Sequence, residues 1–136
     1  AIMEDIFRKA VRPHLIQPTY VTDHPYQLIP LAKNSSKNPK LVESFQLYIG
    51  GLETTKGFSE LNDPREQAKR FIEQDQLREK GDDEVAPTDK DFLENLEYGM
   101  PLTTGIGIGI DRLVMLLTDT RNLRDVILFP TLRPKS

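Results

Sequence analysis

Apolar positions change rhythm along this 136-residue chain, and each rhythm predicts an element. Met3, Ile6, Phe7, Ala10 and Val11 follow i, i+3, i+4 spacing, which predicts a helix that Pro13 stops. Residues 18–22 read as a short strand, and the polar stretch 34–40 as a loop. Phe45, Leu47 and Ile49 alternate as a second strand. Gly50-Gly51 then makes a bend or bulge before a strand running through Phe58. Ala68, Phe71 and Ile72 mark a helix from about 64 to 79, followed by an acidic, solvated loop at 80–84. Thr88 and Asp91 frame a capping box ahead of Phe92, Leu93 and Leu96, with Gly99 as the stop. Gly105, Gly107 and Gly109 alternate with Ile106, Ile108 and Ile110 as a further strand. Leu113 to Leu117 reads as a buried helix, and 126–129 as a last apolar segment. Adjacent hairpin-like strands favour an α+β fold, an antiparallel sheet flanked by helices, in a single domain over 1–136.

The glycine-rich strand carries the first candidate chemistry. Side chains alternate across a strand, so one face here is bare backbone and the other is β-branched. Glycine weakens a strand interior, so three on one face suggest close approach by something else. Asp111 and Arg112 follow at the strand-to-helix junction. A flat platform ending in a guanidinium suits a planar ring and a phosphate. Equally, bare backbone lets a helix pack tightly on the sheet. The every-second-residue spacing is neither the dinucleotide fingerprint nor a P-loop.

The second candidate is Lys56 to Gln67. Lys56, Phe58 and Glu60 share one strand face, which sets a ring beside a carboxylate as a site for an amine. A solvated face with one buried ring fits the same pattern. Asp63, Pro64 and Glu66 are explained by helix initiation alone.

The glycine strand and Arg112, at about 103–117, resemble motif 3 of the class II aminoacyl-tRNA synthetases. Gly57-Phe58-Ser59-Glu60-Leu61-Asn62-Asp63-Pro64 closely resembles the lysine-specifying segment of the class II lysyl-tRNA synthetases. Three more stretches are similar to that family in the same order: Pro18 to Thr22 with Pro30 to Lys33, Phe45 to Glu53, and Arg124 to Pro130. The resemblance covers essentially the whole chain and implies the C-terminal part of a catalytic core. Nothing in these residues looks like the dimerising motif 1, the α-phosphate arginine of motif 2, or the anticodon-binding OB-fold.

Composition narrows the classes without choosing among them. The 18 Lys+Arg and 21 Asp+Glu leave a net charge of -3, no electrostatic footprint for nucleic acid. There is no cysteine, hence no disulfide framework and no thiolate zinc site. His14 and His24 are too isolated to argue for metal and read as surface or loop residues. No signal peptide or membrane-spanning run is evident, so the expected location is cytoplasmic and no membrane partner is expected.

The resemblance assigns roles residue by residue. It implies that Arg112 is the catalytic cation on the ATP γ-phosphate, and that Gly107 and Gly109 form the adenine platform. Glu53 matches one of two glutamates that hold Mg2+ and the phosphates, whereas the other falls on Gln46, a neutral amide. Arginine is usual where this chain has Ser44. Lys56 stands where the family has an asparagine on the substrate carboxylate. It could pair with that carboxylate as a point charge or repel an incoming lysine side chain. Glu60 matches the partner of the lysine ε-amine and Phe58 the ring beside it. The implied activity is a lysine–tRNA ligase: lysine and ATP give lysyl-adenylate, and the lysyl group passes to tRNA in a full-length homodimer. Without the motif 2 arginine, the isolated chain is expected to be inactive. Two alternatives stay open, a protein-lysylating paralogue and a non-catalytic lysine- or nucleotide-binding domain.

Overall fold

The computed structural model describes residues 2–81 and 87–131. The expected acidic loop lies, beyond Gly81, outside them. Ile2–Ile6 form an α-helix (α1), as the i, i+3, i+4 spacing predicts. A wider π-helical turn, Phe7–Val11, replaces the expected continuation, and a 3-10 turn carrying Pro13 ends it. The strands are β1 (Thr19–Thr22), β2 (Ser44–Ile49), β3 (Leu52–Ser59) and β4 (Thr104–Ile108), ordered β1-β2-β3-β4 in one sheet. Gly50 and Gly51 join β2 to β3 with φ of 58° and 74°, a left-handed pair that glycine adopts without Cβ strain.

The helices are α2 (Pro64–Glu79), α3 (Lys90–Glu97) and α4 (Ile110–Leu117). Asp63 caps α2 as expected: its Oδ1 accepts from the Arg65 and Glu66 amides at 2.9 and 3.4 Å. The Glu66 side chain pairs with Arg70 and Lys69. The α3 cap differs from expectation. Asp89, not Thr88, accepts from the Phe92 amide at 2.9 Å, while the Thr88 hydroxyl donates to Asp75. The two neighbours are both competent caps, and the long-range bond to α2 takes Thr88 away.

The chain divides into two compact units, each discontinuous in sequence. One comprises Thr22–Phe45 and Gly57–Ile106. Its core is Ile29, Ala32 and Val42, with Tyr26, Leu28 and Phe58 packed on it. Arg70 is 2 % exposed there and donates to the carbonyls of Pro30 and Ala32 at 3.0 and 2.7 Å. It also donates to Asn34 Oδ1 and lies 5.5 Å from the Tyr26 ring centroid. His24 lies in a loop, as one of the two expectations had it, but is buried in this unit rather than at the surface, with Nδ1 2.7 Å from Ser44 Oγ. His14 is exposed, as expected.

The other unit comprises Ala1–Val21, Gln46–Lys56 and Gly107–Ser136. The Tyr48 ring is buried and meets Phe7 edge-on at 5.6 Å. Arg12 Nε donates to the Gly51 carbonyl at 2.8 Å. The helix expected at 113–117 forms within α4, but it is not buried. Only Met115 is buried, and Leu117 is 78 % exposed. Leu128 and Phe129 are also exposed, in a segment that follows a 3-10 turn at Leu123–Val126. Periodicity identifies an apolar face but does not supply the surface that would cover it.

Candidate functional site

Two hydrogen bonds fix how β4 pairs with β3. The Glu60 amide donates to the Thr103 carbonyl at 2.9 Å, and the Gly109 amide to the Thr54 carbonyl at 2.8 Å. This antiparallel register sets Phe58 opposite Gly105, Lys56 opposite Gly107 and Thr54 opposite Gly109. Each glycine therefore bares its backbone on the face that carries the side chain opposite it.

In the first unit, Phe58 and Glu60 stand next to Gly105. The Phe58 ring packs on the Ile29, Ala32 and Val42 core, so it is a fixed wall. Glu60 sits just past β3 and bridges to Ala32. Glu60 is half-buried, and burial pushes its carboxyl pKa above the usual range. Among the described residues no Lys, Arg or His forms an ion pair with it. A half-buried carboxylate without a cation lowers its desolvation cost by accepting one, which is the chemistry of an ammonium site.

In the second unit, Lys56, Gly107, Arg112, Glu53 and Gln46 come from β2, β3, β4 and the first turn of α4, and Gly109 is the residue between β4 and α4. A Cβ at Gly107 would meet nothing closer than the Lys56 carbonyl at 3.8 Å, so the platform there is open. Arg112 Nη1 donates to the Glu53 carbonyl at 2.6 Å, which ties the start of α4 to β3. One of five N–H donors is used in that bond.

Tyr48 is a member of this half that the sequence reading missed. Its hydroxyl lies 3.0 Å from Gln46 Oε1 and 3.4 Å from Glu53 Oε2. Burial, reinforced by the Glu53 charge and hydrogen bond, pushes the phenol up to about 12. Its signal was the i, i+2 spacing from Gln46 on a strand, on the face opposite the Phe45, Leu47 and Ile49 alternation. Gly105 was read with the other two glycines as bare backbone but given no role of its own, because its partner depends on register.

Gln46 and Glu53 bring one formal charge between them, and the amide oxygen already accepts from Tyr48. Among the described residues no group of three or more His, Cys, Asp or Glu is placed to hold a metal ion. This donor set does not fit a resident Mg2+, which takes hard, usually anionic oxygen ligands in near-octahedral geometry.

An α+β antiparallel sheet with a glycine strand leading into an arginine-bearing helix defines the class. The family described as tRNA synthetases class II (D, K and N) matches residues 6–133, and the chain belongs to it. Among its relatives are the lysine–tRNA ligases of Moorella thermoacetica, 53 % identical over 98 % of this chain, and of Escherichia coli K12, 48 % identical over 98 %. That of Photorhabdus laumondii is 50 % identical over 96 %. The chain spans 27, 26 and 26 % of the lengths of these relatives. Among the described residues no helix is long and apolar enough to cross a membrane.

Proposed function

We propose that this chain supplies the lysine-side and γ-phosphate-side surfaces of a lysine–tRNA ligase core. The observation that carries this reading is Glu60: a half-buried glutamate without an ionic partner among the described residues, inside a segment that resembles the lysine-specifying one of the family. In the reaction, the lysine carboxylate attacks the ATP α-phosphorus in line and pyrophosphate leaves. The terminal hydroxyl of tRNA then attacks the adenylate carbonyl and AMP leaves. No side chain is a nucleophile, so catalysis is positioning and charge stabilisation.

Glu60 receives the substrate ammonium against the Phe58 wall. Lys56 faces the substrate carboxylate as a point charge. Gly107 and Gly109 seat the adenine face, and Arg112 takes the γ-phosphate. Glu53 accepts hydrogen bonds and orders the phosphates. Mg2+, when present, arrives with ATP rather than on a built protein site. The longer protein is a cytoplasmic homodimer with tRNA as its macromolecular substrate. These 136 residues alone do not form adenylate at an appreciable rate, since no segment among them resembles the α-phosphate arginine segment.

Titrating the chain with lysine and with norleucine, which lacks the ammonium, tests the reading. Lysine should shift the amides of Phe58, Glu60 and Gly105, and norleucine should not. Glu60→Gln should weaken lysine binding by about 2 kcal/mol, the value of a charge-assisted bond to a desolvated ammonium. Equal binding of the two ligands, or a Glu60→Gln effect under about threefold, would remove Glu60 from amine recognition.

A further inference from the structure

Three alternating glycines look equivalent in sequence, but the structure separates them. A Cβ built on Gly105 would lie 2.4 Å from Glu60 Oε1. The same atom on Gly107 or Gly109 would meet nothing nearer than 3.8 or 3.4 Å. Gly105 does not have a positive φ, so conformational freedom does not explain it. What occupies the space a side chain would take is the Glu60 carboxyl group.

We propose that Gly105 is a positioning residue for amine recognition: its missing side chain opens the seat on β4 in which the Glu60 carboxyl group lies, and so fixes where a substrate ammonium must come. The proposal rests on the reading of Glu60 as the amine partner. The Glu60 backbone is already held, by the hydrogen bond its N–H donates to the Thr103 carbonyl and by its bridge to Ala32. Only the side-chain torsions remain to place the carboxylate, and the seat decides among them. Adding a methyl group at Gly105 displaces the free end of a flexible side chain and leaves the backbone pairing alone. The fold is retained and the carboxylate is not. Burial of the seat raises the Glu60 pKa, so a displaced carboxyl group titrates closer to the ordinary carboxylate range.

The experiment follows the Glu60 side-chain carbon by NMR through a pH titration of the full 136-residue chain, then titrates lysine. In Gly105→Ala the Glu60 pKa should fall and lysine affinity should drop tenfold or more, with the amide spectrum otherwise retained. Glu60→Asp should also weaken lysine binding in the unaltered chain, but add little on top of Gly105→Ala, because the shorter carboxylate clears the new methyl group. An unchanged Glu60 pKa in folded Gly105→Ala, or fully additive losses in the double variant, would overturn the proposal. Should Gly105→Ala not fold, Glu60→Asp alone decides it. Its carboxyl group cannot reach the seat, so a pKa raised as in the parent would be fatal. If lysine binds the parent and Glu60→Gln equally, the amine reading falls, while the Glu60 titration still judges the seat.

Discussion

The hydroxyl of Tyr48 donates to Gln46 Oε1 at 3.0 Å, two residues back on the same strand. Its single proton also faces Glu53 Oε2 at 3.4 Å. An ionised phenol would be buried beside a carboxylate, which is why its pKa rises to about 12 from the ordinary 10.0. A folded-state pKa above the unfolded one means that the native protein holds the proton more tightly. Stability from this group is complete below pH 10 and is lost as pH rises from there through about 12. The loss should reach roughly 2–3 kcal/mol at the top of that window, at 1.36 kcal/mol per unit. Denaturant melts of the wild type and Tyr48→Phe between pH 9 and about pH 12 check this. The two curves should converge as pH rises, and parallel curves would contradict the assignment.

The same pair bears on metal. Replacing the Gln46 amide with a carboxylate, Gln46→Glu, puts two charges where the chain has one. Divalent-cation affinity should rise by tenfold or more, about 1.4 kcal/mol. Mn2+ broadening of the amide signals of residues 46–56 measures it. Equal broadening in both proteins would mean that the amide oxygen already serves as a full ligand.

Arg70 organises the segment that pairs with the residues around Glu60. It donates to the carbonyls of Pro30 and Ala32, and that segment bonds back through Lys33 to Ser59 and through Leu31 to Leu61. Arg70→Met keeps much of the volume but strands the Ala32 carbonyl and leaves that of Pro30 with only the longer, 3.4 Å bond from Gln67 Nε2. It should cost about 2–4 kcal/mol in urea unfolding. Lysine at this position should not rescue it, because one ammonium cannot span both carbonyls and Asn34. A loss under about 1 kcal/mol would show that Gln67 and water satisfy those carbonyls.

Features that depend on neighbours in sequence were legible. The Gly50-Gly51 turn, the Asp63 cap and the bounds of α2 were all readable because the signal and its partner lie within a few residues. The loop position of His24 was legible, but its burial was not, because its partner Ser44 lies twenty positions away. The choice of Asp89 over Thr88 was set by Asp75 on another helix. In the candidate site, residue types were legible at 56–60 and 103–112. Their register was not, and the register singles out Gly105 among the three glycines. The exposed apolar side of α4 shows the same limit: spacing reports a face, not its cover.

Arg112 stands in the first turn of α4, where a cation opposes the helix dipole. Its bond to the Glu53 carbonyl is worth about 1 kcal/mol, which the dipole partly offsets. Arg112→Ala should therefore change unfolding stability by less than about 1 kcal/mol, while removing the charge proposed to meet a phosphate. ATP affinity of the chain should be low, on the order of 1 mM or about 4 kcal/mol. Titrating ATP into the labelled chain should move amides within 105–112 in the wild type. In Arg112→Ala those shifts should vanish while the melt stays put. Matching shifts in the two proteins would make Arg112 an anchor for α4 and nothing more. A large loss of stability would show that the Glu53 bond, and not phosphate, is what this arginine serves.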